Sequence, residues 1–225
     1  MGKRIAVIVA VAIALLIGVF AVVNVSNPSQ DPAGSNPTSS TKVAFYGDSY
    51  TLGTGASDPA NRWSTAISEE RGWNEYNPSV NGLGFVNNRM RFGSGDLPDL
   101  VIKSNPDIVF ITMGLNDNFS YDYAADAIHQ QIDDDFERLA AALPAAHFIA
   151  VEPFWYTDAR PESLGVISGW VKDAAAGIGA DYISGGSHWI EGHPEWMAAD
   201  GLHPNDLGYA EMTRRMDESL VELGL

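Results

Sequence analysis

The sequence predicts an α/β fold, a three-layer α/β/α sandwich around a parallel sheet. Two observations predict it. Short apolar runs bounded by Gly, Asp and Asn recur through residues 42–225. Between them lie longer segments whose apolar residues fall at three- and four-residue steps, the period of one helix face. Strands that alternate with helices in this way form a parallel sheet covered by helices on both faces.

Lys42–Tyr46 is β-rich and stops at Gly47-Asp48. Glu75–Val80 is a weaker candidate. Asn105–Met113 is apolar enough to be buried on both faces. His147–Glu152 and the weaker Ala180–Ser184 complete five. The predicted helices are Arg62–Arg71, Tyr123–Leu143, Leu164–Gly177 and Asn205–Leu223. Ile128, Ile132, Phe136, Leu139 and Leu143 share one face of the second. Leu207, Met212, Met216, Leu220 and Leu223 share one face of the last. No internal repeat and no second domain boundary is visible after Lys42.

The region before Lys42 has a different character. Ile5–Val23 is an apolar run behind Lys3 and Arg4. As a helix it spans roughly 28 Å, close to bilayer thickness. Residues 1–25 therefore read as an N-terminal transmembrane helix that anchors the chain to a membrane. Lys3 and Arg4 stay inside and the remainder lies outside the cytoplasm. The alternative is a cleaved signal segment and a secreted protein, although the run exceeds the usual apolar core of about 7–15 residues. Residues 26–41 are rich in Ser, Thr, Asn and Pro and read as a disordered linker. Residues 42–225 form the folded domain.

Composition narrows the function. Net charge is −16, which excludes nucleic acid as a partner because phosphate binding needs clustered Lys and Arg. Cys is absent, so disulfides, thiol nucleophiles and Cys-based metal sites are excluded. His188 and His193, near Glu191 and Glu195, do not have the spacing that puts ligands on one helix face, so no metal site is assigned.

In open parallel sheets ligands bind beyond the carboxyl ends of the strands. The loops there carry Gly47-Asp48-Ser49-Tyr50, Asn81-Gly82-Leu83-Gly84 and Gly114-Leu115-Asn116-Asp117. Near the end lies Asp200-Gly201-Leu202-His203-Pro204. A Ser hydroxyl needs a base to attack near neutral pH, and the base needs an orienter. Ser49, His203 and Asp200 supply these three roles. The Ser49 and Gly82 backbone N–H groups and the Asn116 amide can donate to an oxyanion. Each block also has a plainer reading: Ser49 as a helix N-cap, Asn116 as an Asx-turn residue, Gly82 as a turn glycine, and Asp200–Pro204 as a turn into the last helix. Asp48 and Asp117 read as loop braces.

Together the four blocks resemble the SGNH hydrolases, also called GDSL esterases and lipases. That family is defined by a Ser, a Gly, an Asn and a His in separated blocks. The match runs from about Lys42 to Leu225, in order and on the expected strand ends. Tyr50 stands where the family name has Leu. The resemblance implies a flavodoxin-like five-stranded sheet and a serine esterase acting through an acyl-enzyme, without a cofactor. Its catalytic residues would be Ser49, Asp200 and His203, and its oxyanion hole Ser49, Gly82 and Asn116. The expected substrate is a small-molecule or glycan ester with an acetyl or short acyl group, on carbohydrate or lipid. Aromatic residues in the loops (Phe119, Tyr121, Tyr123, Phe154, Trp155, Tyr156, Trp189 and Trp196) read either as packing or as a pocket wall. The competing function is a non-catalytic, membrane-tethered glycan-binding module on the same fold.

Overall fold

The computed structural model describes residues 40–92 and 95–225. The apolar run and almost all of the linker lie outside the described residues, and with them the expected membrane helix. Among the described residues no helix is long and apolar enough to cross a membrane.

Five strands form one sheet: β1 (Lys42–Gly47), β2 (Asn74–Tyr76), β3 (Ile108–Thr112), β4 (His147–Val151) and β5 (Asp181–Ile183). Their spatial order is β2-β1-β3-β4-β5 and every pairing is parallel. This is the flavodoxin-like order, and its direction reverses between β1 and β3. The crevice beyond the ends of these two strands is where such sheets bind ligands.

Among the described residues six α-helices accompany the strands: α1 (Ser49–Leu52), α2 (Trp63–Glu70), α3 (Leu97–Ser104), α4 (Tyr121–Ala142), α5 (Glu162–Ile178) and α6 (Asp206–Glu222). Strand pleating sends alternate side chains to opposite faces. Val43, Phe45 and Phe110 pack with Trp63 and Ile67 of α2 and with Tyr209, Met212 and Met216 of α6. Ala44, Tyr46 and Ile111 pack with Val101 of α3, Ile132 and Phe136 of α4, and Val171 of α5. Both faces are buried, which is why β3 reads as a continuous apolar run.

The structure departs from the sequence expectations in several places. The second strand ends at Tyr76, short of Val80. Pro78 has no N–H for a ladder, and the Asn77 amide instead donates to the Thr51 carbonyl and to Ser64 Oγ. Helix α3 was not expected: it is short and owes its start to Asp96, which caps the Asp99 N–H, with Pro98 in the first turn. Leu207 is 61% exposed rather than on the packed face of α6, and Tyr209 is buried there in its place. Pro204 lies ahead of that helix, bridged to Met197, and Asn205 is the cap.

Candidate active site

The first block leaves β1 at Gly47. The Asp48 carboxylate accepts the Tyr50 N–H at 2.9 Å and so caps α1. The cap role expected of Ser49 therefore falls to Asp48, and the Ser49 hydroxyl is released from it. Ser49 is the first residue of α1, so its own N–H has no intrahelical acceptor. Gly53, with φ of 89°, ends the helix after one turn.

The third block leaves β3 through Gly114, whose φ is 124°. A Cβ there would lie 2.7 Å from Pro153 Cγ, so only glycine makes this turn. The turn delivers Asn116 and Asp117 into the crevice. The Asn116 amide donates to Asp48 Oδ2 at 3.1 Å and to the Leu83 carbonyl at 2.9 Å. Both of its N–H groups are thus committed in this arrangement. Asp117 is fully buried and accepts the N–H groups of Phe85, Val86 and Asn87 at 2.7, 2.9 and 3.1 Å. It clamps the loop that follows Gly82. Gly82 has φ of 70°, and its carbonyl accepts the side-chain amides of Asn87 and Asn88. Its N–H has no acceptor among the described residues.

The fourth block is a closed loop. Ala198 N–H donates to the His203 carbonyl at 2.8 Å, and Met197 bridges Pro204. Within it Asp200 Oδ2 lies 2.7 Å from His203 Nδ1. Asp200 Oδ1 accepts the N–H groups of Leu202 and His203 at 2.9 and 3.0 Å. The hydrogen bond from His203, joined by these backbone donors, holds the Asp200 carboxyl down at about 2. Asp200 is therefore ionised throughout the neutral range and orients the imidazole with Nδ1–H toward itself. Ser49 Oγ and His203 Nε2 share no hydrogen bond among the described residues. Such pairs commonly tighten only when substrate is seated.

Two contacts join the fourth block to the first. The Tyr50 hydroxyl donates to the Leu202 carbonyl at 2.6 Å, and the Tyr50 ring centroid lies 6.0 Å from that of His203. Gly55, with φ of 97°, packs beneath the same loop. A Cβ there would meet the Pro204 carbonyl at 2.4 Å and His203 Cβ at 3.1 Å. Neither residue stood out as functional in the sequence. Tyr50 carried a signal, since it replaces Leu in the family pattern, but only three dimensions reveal its partner.

The loop aromatics divide. Phe154, Trp155 and Trp189 are buried in the core, so packing accounts for them. Phe119 and Tyr123 are exposed, and Tyr156 is half-buried. His188 and His193 form two separate pairs, with Glu191 and Glu195. A cavity of 400 Å³ lies against Gly201 of the fourth block and against Ala198 and Ala199, which precede it. A larger one of 490 Å³, between α2 and α6, touches none of the four blocks.

A doubly wound parallel sheet with Ser49 beyond β1, Asn116 beyond β3 and an Asp200–His203 pair on a loop fastened to the Ser49 turn fits the class of serine hydrolases. Residues 45–211 match the GDSL-like Lipase/Acylhydrolase family, and the chain belongs to it: it is an SGNH-type serine esterase. The chain is 26% identical over 179 residues to the GDSL lipase Rv0518 of Mycobacterium tuberculosis, covering 74% of this chain and 76% of that one. The fold is similar to that of the psychrotrophic esterase EstA from Pseudoalteromonas sp., with a TM-score of 0.66 and 18% identity over 81% of this chain and 98% of the other. It is also similar to Axe2, an acetylxylan esterase from Geobacillus stearothermophilus, with a TM-score of 0.59 and 17% identity over 78% and 92% of the two chains.

Proposed function

We propose that Ser49, His203 and Asp200 are the catalytic triad of this esterase and that its substrates carry acetyl or short acyl groups on carbohydrate. Ser49 Oγ attacks the acyl carbon while its proton passes to His203 Nε2. The oxyanion is received by the Ser49 and Gly82 N–H groups and by the Asn116 amide. The ester C–O bond then breaks, and the leaving alcohol takes the proton from His203. Water adds to the acyl-enzyme with His203 as base, the acid departs, and Ser49 regains its proton. The observation that carries this reading is the 2.7 Å Asp200–His203 pair on a closed loop that Tyr50 fastens to the Ser49 turn.

Short acyl groups are supported by the packing. The aromatics that would have walled a long apolar channel, Phe154 and Trp155, are used by the core. Carbohydrate is supported by the exposed aromatic rings and by the likeness in fold to an acetylxylan esterase. We further propose that residues 1–25 tether the domain outside the cytoplasm, a reading supported by the sequence of the apolar run. Ser49→Ala should abolish hydrolysis of p-nitrophenyl acetate and labelling by a fluorophosphonate probe. Near-wild-type turnover in that variant removes the triad assignment.

A further inference from the structure

Beside the fourth block, the 400 Å³ cavity falls within the range of about 300–1,000 Å³ typical of small-molecule sites. Its position follows from the reaction proposed above, on which this inference rests. His203 must protonate the leaving oxygen, so the alcohol part of the ester lies on the histidine side of the scissile carbonyl. The oxyanion donors of Gly82 and Asn116 belong to other loops. The cavity is walled by Ala198, Ala199 and Gly201, the residues that flank Asp200. It borders the loop that carries His203 and none of the oxyanion residues, which puts it on the histidine side of the proposed site.

Its lining has two characters. Ile190, Pro194, Met197 and Ala198 are apolar, and Tyr156, Asp158 and His193 are polar. These polar groups are aligned yet only half engaged. Asp158 Oδ1 accepts the Gly192 N–H at 2.8 Å, and its second oxygen has no partner among the described residues. His193 Nδ1 pairs with Glu195 at 2.7 Å, and its ring lies flat on Trp196 at 3.6 Å between centroids, which fixes where Nε2 points. The Tyr156 hydroxyl likewise has no partner among the described residues. An alkyl chain filling this space would strip water from three polar groups and give nothing back. A pyranose ring presents C–H faces to the apolar part and hydroxyls to the polar groups. The Asp158 carboxylate in the lining, the Glu195 carboxylate paired with His193 and the net charge of −16 favour a neutral sugar over an acidic one.

We infer that this cavity, with Tyr156, Asp158 and His193 as hydroxyl partners and Ile190 and Met197 as the apolar surface, binds the neutral saccharide portion of an O-acylated sugar. The test separates binding from catalysis. Acetylated xylobiose is titrated by calorimetry into full-length Ser49→Ala, then into the same chain with Tyr156→Phe and Asp158→Asn added. Asn at 158 retains the oxygen that holds Gly192. Losing two sugar hydrogen bonds should weaken binding about tenfold. In the Ser49-containing enzyme, the same two substitutions should lower the ratio of kcat/KM for acetylated xylobiose over that for p-nitrophenyl acetate by a similar factor. Unchanged affinity and an unchanged ratio overturn the inference. So does Ala199→Trp, which fills the cavity, if it suppresses p-nitrophenyl octanoate hydrolysis and spares the sugar ester, since the cavity then holds the acyl chain. Turnover retained in Ser49→Ala with sugar binding weakened as expected would remove the triad assignment and leave the saccharide site standing.

Discussion

Tyr50→Phe isolates the hydrogen bond that joins the turn of Ser49, the proposed nucleophile, to the loop of His203, the proposed base. The Tyr50 ring is fully buried and stacks on Phe154 at 5.7 Å. Phenylalanine keeps that packing and removes only the hydroxyl that donates to the Leu202 carbonyl at 2.6 Å. That carbonyl is part-buried, so water can partly replace the donor, and the stability cost is about 1 kcal/mol. For a domain of this size that is a fall of about 2–4 °C in Tm. The catalytic effect should be larger in proportion. Leu202 directly precedes His203, so freeing its carbonyl loosens the imidazole. Misplacing a catalytic group by about 1 Å can cost 10²-fold, and a loosened loop should cost about tenfold, in kcat rather than KM. Burial pushes the Tyr50 phenol well above its ordinary value, so it remains a donor across the working range, and the loss should be the same from about pH 6 to 9. The assay is p-nitrophenyl acetate hydrolysis at several pH values, with Tm measured on the same samples. A kcat within twofold of wild type, alongside a lowered Tm, would show that the bond only stabilises the fold.

Other substitutions probe the remaining contacts. Gly55→Ala places a methyl group 2.4 Å from the Pro204 carbonyl at a φ of 97°, and should lower kcat more than tenfold by displacing the His203 loop, read in the same ester assay. Asp200→Asn keeps the backbone acceptor but presents an amide to Nδ1, which favours the wrong imidazole tautomer. The expected loss in kcat is about 10²–10⁴-fold, with Tm little changed because the carboxylate is half exposed. Asp117→Ala strands three backbone donors in the core and should cost about 2–4 kcal/mol, visible as a lower urea midpoint. Burial raises the Asp48 carboxyl from 3.8 to about 7, so the folded chain holds this proton where the unfolded chain has lost it. Its contribution is fully present below about pH 4 and is lost as pH rises through 7, and Asp48→Asn should flatten the fall in Tm across that window.

The sheet and its long helices were legible because burial on both faces imposes continuous apolar strands, and one-sided burial imposes the helical period. Ile128 to Leu143 show this well: all five predicted positions are buried. Local chemistry that competes with periodicity was not legible. Helix α3 is only two turns and depends on the Asp96 cap. Leu207 stands five residues before Met212, about 140° around α6 from it, and so faces solvent, while Tyr209, three residues before Met212, takes the packed position. At the site, the sequence named the residues of each block, since strand ends fix where they emerge. It could not name the contacts between blocks. Nor does it name the Arg89–Asp135–Tyr46 cluster, which lies outside the blocks. Asp135 is buried, accepts from the Tyr46 hydroxyl at 2.5 Å and pairs with both guanidinium nitrogens of Arg89 at 2.6 and 2.7 Å. It ties the loop after Gly82 to α4 across a long sequence separation.

The contacts around Asn116 bear on how the proposed oxyanion hole would be assembled. Its amide serves Asp48 and Leu83, so it holds three of the four blocks in register. The Ser49 and Gly82 N–H groups have no such duties among the described residues and are already available as donors. Of the two Asn116 bonds, the one to Asp48 is the longer, at 3.1 Å against 2.9 Å. A developing oxyanion carries more charge than a carboxylate that burial is driving toward its neutral form. The Asn116 N–H that now faces Asp48 is therefore the one an oxyanion would draw away. The Leu83 bond would remain and keep the Gly82 loop in place. If the proposed role holds, the third donor would engage only as charge develops, and its stabilisation would fall on the transition state rather than on the bound ester.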